Sequence, residues 1–232
     1  MQVIITNNKS NFDKQIALKI SLYFIVAFSI SYFLNLLPNP LVNYGIKTNL
    51  NYAFGPFLSV IIVSLIFKIP LKLNLFSNLD WVRKIEYIGL IIFFIGAIAQ
   101  PLVSGNTNYL LLIAGILLAL IYTLLEEFGW RVFLGNELEK NPFLTIFIIS
   151  TILWFFWHYS FNDENLLANP LQFLALIAGG SAGMAMFYKQ TKSWIIVALT
   201  HAVISVNVIT LVVFLVVTIG LLRLQDLKTK KQ

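Results

Sequence analysis

The chain has 232 residues, of which 59% are hydrophobic and only 11% charged, with 20 phenylalanines and a net charge of +6. An average soluble domain is about 25% charged, so the composition is that of an integral membrane protein and excludes a soluble domain with an oversized core. The absence of cysteine excludes disulfides and thiolate metal sites, and the excess positive charge is too small and too scattered for a nucleic-acid surface.

The first 16 residues are polar (Asn7, Asn8, Lys9, Ser10, Asn11, Asp13, Lys14) and lack a signal-peptide cleavage pattern, so the first apolar run is expected to remain as a span. Runs of spanning length follow at 17–37, 52–69, 86–104, 108–138, 143–160 and 170–188. A last run, 193–223, is long enough for one strongly tilted helix or two short ones. Turn chemistry separates them: Pro38-Asn39-Pro40, Pro70, Ser104-Gly105-Asn106, Asn141-Pro142 and Asn169-Pro170. No internal repeat or linker divides the chain, which reads as a single membrane domain over 1–232 with a basic tail at 224–232.

Lys and Arg at the helix ends set the expected orientation. They collect in the N-terminal tail (Lys9, Lys14, Lys19), between spans two and three (Lys68, Lys72, Arg83, Lys84), around Lys189 and Lys192, and in the tail (Arg223, Lys228, Lys230, Lys231). The intervening loops are poor in them: 38–51 holds only Lys47, and 161–169 carries Asp163 and Glu164 instead. Both termini are therefore expected in the cytoplasm. That requires an even number of spans, so the last run should divide near Val206-Asn207. The expected fold is an all-α polytopic transmembrane helix bundle of about eight spans.

Few polar residues lie inside these runs. Glu126, Glu127 and Arg131 interrupt the fourth run, His158 lies in the fifth, and His201, Ser205 and Asn207 lie near the end; His158 and His201 are the only two histidines. A charged side chain at a helix centre in the bilayer costs about 2.5–3.5 kcal/mol even on lenient scales, so adjacent glutamates must be paired, protonated or hydrated. Helix rise places Glu126 about 21 Å and His158 about 25 Å from the turn at Lys140-Asn141, and His201 about 14 Å from Lys192. Tilted neighbours can bring groups at these heights together. Glu127 and Arg131 are i, i+4 partners with the acid first, the better orientation for an ion pair. Glu126 then projects about 100° away, free to face a cavity and the histidines as a general base secluded from bulk water. His201 and Ser205 share a face by the same spacing. Gly179-Gly180-Ser181-Ala182-Gly183 reads as a close-packing surface with GxxxG spacing, and Trp154, Phe155, Phe156 and Trp157 as packing or lipid-facing aromatics, with Trp154 one turn from His158.

The segment Glu126-Glu127-Phe128-Gly129-Trp130-Arg131 resembles the EExxxR motif of the CAAX-protease and bacteriocin-processing (CPBP, or Abi) family of intramembrane proteases. Trp154 and His158 resemble its FxxxH motif, with Trp in place of Phe. His201 in Leu199-Thr200-His201-Ala202 resembles its Hxxx(N/D) motif, with Ser205 at the Asn/Asp position. The nearest amide, Asn207, lies about 200° round the helix from Ser205. The resemblance covers 108–223, which leaves 1–107 as N-terminal accessory spans.

This resemblance implies hydrolysis of a peptide bond inside the membrane, with Glu126 and His158 activating water and His201 stabilising the oxyanion. Glu127 joins these catalytic residues, and Arg131, Trp154, Ser205 and Asn207 support them. No cofactor is required in that scheme. The alternative is Zn²⁺ held by Glu126, His158 and His201 as an open three-ligand site; the metal-free scheme is preferred because no HExxH-like helix fixes two ligands on one face. The implied partners are membrane lipid and a membrane-associated peptide, either a prenylated (CAAX-type) protein or a bacteriocin leader, in a bacterial plasma (inner) membrane. The competing class is a non-catalytic membrane protein, either a bacteriocin self-immunity factor or a small transporter. A transporter should show paired broken helices and pseudo-symmetric halves, and the sequence has neither.

Overall fold

The computed structural model describes residues 8–44, 49–71, 74–104 and 108–206. The long helices are α1 (Asn8–Asn35), α2 (Leu50–Phe67), α3 (Asp80–Ser104) and α4 (Tyr109–Glu127). A π-helical turn, Phe128–Phe133, joins α4 to the short α5 (Leu134–Glu137). Then come α6 (Phe143–Trp157), a 3₁₀ turn (His158–Phe161), the short α7 (Glu164–Ala168), α8 (Pro170–Thr191) and α9 (Trp194–Val206). There is no strand among the described residues, and the chain is a helical membrane bundle.

Five stretches among the described residues are long and apolar enough to cross a membrane: Lys14–Asn35, Leu50–Phe67, Tyr109–Glu137, Phe143–Phe161 and Pro170–Thr191. They coincide with five of the runs read from the sequence, and the run at 86–104 falls in α3. The run at 193–223 begins in α9, but its expected division near Val206-Asn207, Asn207 itself and the basic tail lie outside the described residues.

Helix ends fall where short polar side chains can replace the missing backbone partners. Asn49 caps α2, Asn108 caps α4, and Asn169 caps α8 with Pro170 in the first turn. Asp163, expected in a solvated loop, accepts from the amides of Asn165 and Leu166 and so starts α7. Lys68, Asn162 and Lys192 end their helices in the left-handed conformation, Lys68 just before the predicted break at Pro70.

The motif-bearing α4 is held on several sides. α1 packs along α2, and α2 lies against α4 and the π turn. Gly55 lets α1 and α2 approach, since a Cβ there would stand 2.5 Å from the carbonyl oxygen of Ala27. Ser31 of α1 donates to the Tyr52 carbonyl at 2.8 Å and accepts from Trp157 Nε1 at 2.8 Å, tying α1 to α2 and α6. Lys19 and Glu137 join α1 to α5 at 2.9 Å. At the other end, the backbone amides of Trp194 and Ile195 donate to the Asn74 and Leu75 carbonyls, while Trp194 Nε1 donates to the Leu124 carbonyl at 2.7 Å. That bond fixes the start of α9 two residues before Glu126.

Lipid-facing positions carry Leu65, Leu110 and Leu171, all exposed, as expected where the surrounding solvent is hydrocarbon. The glycine stretch of α8 departs from its expected role. Among the described residues, a Cβ on Gly179 or Gly183 would meet nothing within 4 Å, whereas one on Gly180 would stand 3.4 Å from Met184 Cε and 3.5 Å from the Trp154 ring.

Candidate active site

Glu126 and Glu127 occupy the last turn of α4, where the helix widens into the π turn that carries Arg131. π turns interrupt the regular i to i+4 ladder and recur at functional sites. Gly129 at its centre is a close-approach position. A Cβ there would overlap the Tyr23 hydroxyl and stand 2.8 Å from Pro56 Cβ, so glycine lets α1 and α2 seal this side of the site. All six residues of the turn are buried.

Both glutamates and Arg131 are at most 1% exposed. Arg131 Nε lies 3.2 Å from Glu127 Oε2, and Nη1 donates to Glu127 Oε1 at 3.4 Å. The i, i+4 pair expected from the sequence is therefore present. Glu127 has a second partner: His201 Nδ1 is 2.7 Å from its Oε1. Glu126 Oε2 stands 4.0 Å from the same His201 nitrogen. Glu127 therefore bridges Arg131 and His201 directly, while Glu126 stands beside the imidazole.

Trp154 links the remaining parts. Its indole N–H donates to Glu126 Oε1 in a short hydrogen bond, and its backbone carbonyl accepts from His158 Nδ1 at 2.7 Å. Its ring meets His201 edge-on with centroids 5.3 Å apart, and the Arg131 guanidinium lies 4.2 Å from its centroid, a geometry that adds cation–π attraction. A carbonyl oxygen only accepts, so His158 Nδ1 must carry its proton and a neutral His158 presents Nε2 as a base. Phe173, Trp157 and Phe161 surround that imidazole at centroid distances of 4.9, 5.0 and 5.3 Å.

Glu126 Oε2 has no hydrogen-bond partner among the described residues, which leaves one buried carboxylate oxygen for a water or a substrate proton. Ser205 belongs to the last turn of α9, but its side chain, like the whole of Asn207, lies outside what the structure describes. Two residues escape a motif-based reading. Tyr122, one turn before Glu126, brings its hydroxyl toward the Glu126 carboxylate; its i−4 spacing was available as a signal. Tyr23 of α1 is fully buried, stacks edge-on with Trp130 at 5.4 Å and lies close enough to interact with Glu126, Glu127 and Arg131. No local pattern in α1 marks it.

Among the described residues, the donor atoms that lie together are those of Glu126, Glu127 and His201, all within 4.8 Å of one another. Of the ligand set derived from the sequence, Glu126 and His201 are in this group, Glu127 is added and His158 stands outside it. Carboxylate oxygen and imidazole nitrogen suit a divalent ion such as Zn²⁺ chemically.

A bundle of membrane-length helices enclosing a buried Glu–Glu–Arg–His cluster defines an integral membrane protein with a polar site inside its helices. Residues 107–207 match the family model described as type II CAAX prenyl endopeptidase Rce1-like, in agreement with the motif resemblance. The match supports a CAAX-type intramembrane protease in general. No curated protein and no solved structure matches the chain significantly.

Proposed function

We propose that this protein is an intramembrane endopeptidase that cleaves a membrane-associated peptide, with Glu126 as the general base. The observation that carries this reading is the state of Glu126: 1% exposed, one oxygen held by Trp154, the other unpartnered among the described residues and 4.0 Å from His201. A water at Glu126 Oε2 would lose a proton to the carboxylate as its oxygen attacks the scissile carbonyl carbon. His158, with Nδ1 fixed on the Trp154 carbonyl, offers Nε2 to orient the same water.

His201 donates a hydrogen bond from Nδ1–H to Glu127 Oε1, so it donates to the developing oxyanion from Nε2–H only as an imidazolium that keeps both protons. Glu127 supplies the counter-charge, and Arg131 in turn fixes Glu127. Collapse of the tetrahedral intermediate returns the proton from Glu126 to the leaving amine. Removing one oxyanion donor costs about 10²–10³ in rate, which is the scale of loss expected if no group takes the Asn/Asp role at Ser205. A divalent ion bound here would be held by Glu126, Glu127 and His201 and would supply Lewis-acid polarisation of water or carbonyl.

The substrate class is a prenylated (CAAX-type) or bacteriocin-leader peptide, reached from a bacterial plasma membrane in which both termini are cytoplasmic, in keeping with the Lys and Arg distribution. Purified protein in proteoliposomes should cleave one of these peptides and should keep that activity after exhaustive chelation. Failure to cut any of them with folded protein counts against the catalytic reading. Stoichiometric zinc whose removal stops cleavage counts against the metal-free scheme.

A further inference from the structure

The segment 74–79, between α2 and α3, holds the start of α9 from outside the motif-bearing helices. The first amides of a helix have no partner within it. In α9 the amide of Ile196 donates to Ser193 Oγ at 3.2 Å, as in an ordinary cap. The two before it, those of Trp194 and Ile195, donate instead to the carbonyls of Asn74 and Leu75 at 3.1 and 2.9 Å. Ser77 ties the same segment to the end of α8, its hydroxyl donating to the Thr191 carbonyl at 2.9 Å.

One side chain pins this strap. Glu86, in the second turn of α3, is 0% exposed, and its Oε1 accepts from the Ser77 amide at 2.9 Å. Burying a carboxylate is costly unless hydrogen bonds offset the loss of water, and the contact it makes here is with the strap. Phe76 of the strap and Phe93 of α3 pack with Ile195, Leu199 and Ala202 of α9 in one apolar cluster. The strap and α3 therefore also back α9 along its side.

The consequence for the site is one of register. His201 lies about 10 Å along the helix from Trp194, and its Nδ1 is 2.7 Å from Glu127 Oε1. The indole bond from Trp194 to Leu124 acts through rotatable side-chain torsions. Two successive backbone bonds set the height and rotation of α9 as well, and a contact as short as that of His201 is lost on a small slide. We propose that Glu86 is a positioning residue for His201, acting through Ser77 and the carbonyls of Asn74 and Leu75 on the start of α9. Glu86 and the strap lie outside the residues 107–207 that match the family model, so a segment without a motif shares in setting the site. The kinetic part of this inference rests on the proposed proteolysis; the structural part does not.

The test follows the full chain by hydrogen exchange in neutral detergent and by cleavage kinetics in proteoliposomes. Glu86→Ala should speed amide exchange at 194–196 about tenfold, the upper range for one hydrogen bond, while α6 exchanges as in the wild type. Glu86→Gln keeps a carbonyl acceptor for the Ser77 amide and should restore wild-type exchange. In cleavage, Glu86→Ala should lower kcat by about 10–100-fold with KM within about twofold, since a misplacement of about 1 Å costs on the order of 10²-fold. Glu86→Gln should recover most of that loss. Ser77→Ala, which cuts the tie to Thr191, should also speed exchange at 194–196 and carries the same readouts if Glu86→Ala does not fold. Exchange that rises evenly along all helices overturns the proposal, as does local loosening with kcat unchanged, a change in KM alone, or a loss that Glu86→Gln does not rescue. A wild-type protein that cuts no peptide counts against the proteolytic reading instead. The exchange arm then decides alone, and unchanged exchange at 194–196 in both Glu86→Ala and Ser77→Ala overturns the role of Glu86.

Discussion

Trp154→Phe is an informative perturbation, because it installs the residue of the FxxxH motif that this chain resembles. On the motif alone the change should be harmless or beneficial. The structure argues the opposite. The indole N–H donates to Glu126 Oε1, and Glu126 Oε2 has no hydrogen bond among the described residues. Phenylalanine removes the indole donor to Oε1 in a site that is 1% exposed. Hydrogen bonds to charged groups are worth about 1.5–3 kcal/mol, which corresponds to a loss of about 10–150-fold in rate if the bond holds Glu126 in place for attack. Some stability is lost too. The Arg131 guanidinium lies over the Trp154 ring at 4.2 Å and Gly180 packs against it; a smaller ring loosens both contacts, at roughly 1–3 kcal/mol. The assay is peptide cleavage in proteoliposomes at a temperature well below unfolding, with the melting temperature measured alongside. Folded Trp154→Phe protein that cleaves as fast as the wild type would refute the assignment of the indole to Glu126.

Glu127→Gln should destabilise the fold by about 3–5 kcal/mol, because it leaves Arg131 as a buried charge without its counter-ion; thermal unfolding measures this, and a melting temperature within a degree of the wild type refutes it. Gly129→Ala should cost about 1–3 kcal/mol by overpacking against Tyr23 and Pro56. Combining it with Tyr23→Phe, which removes the overlapping hydroxyl, should restore part of that loss in a double-mutant cycle; strict additivity contradicts the packing geometry. His158→Gln should lower the cleavage rate about 10²–10⁴-fold, as loss of a proton-handling group does, with little change in melting temperature. Wild-type rates in that variant would leave His158 a packing residue.

The boundaries of the membrane helices were legible because apolar length and turn chemistry are local. Asn169-Pro170, read from the sequence as a break, starts α8 by side-chain capping, and Asn49 and Asn108 cap α2 and α4 in the same way. The Glu127–Arg131 pair was legible for the same reason, being one helical turn. Contacts between distant segments were not. Nothing in the periodicity says that Glu127 rather than Glu126 takes the shorter contact to His201, because that depends on the π turn and on the Trp194–Leu124 bond that sets where α9 starts. Trp154 looked like a tolerated aromatic exchange; its hydrogen bond to Glu126 crosses from α6 to α4. Tyr23 enters from α1, outside the motif-bearing segment. The GxxxG spacing of α8 is a weaker guide, because small residues permit a close contact without requiring a partner, and among the described residues nothing stands within 4 Å of a Cβ placed on Gly179 or Gly183.

The most direct test of the proposed chemistry is cleavage by Glu126→Gln. The amide matches the carboxylate in size and can keep a carbonyl acceptor for the Trp154 indole, but it cannot take a proton from water. Loss of a general base lowers rate by about 10²–10⁴-fold, so the variant should insert, unfold near the wild-type temperature and retain less than about 1% of the cleavage rate in proteoliposomes. Wild-type cleavage by a folded Glu126→Gln protein would contradict the central claim.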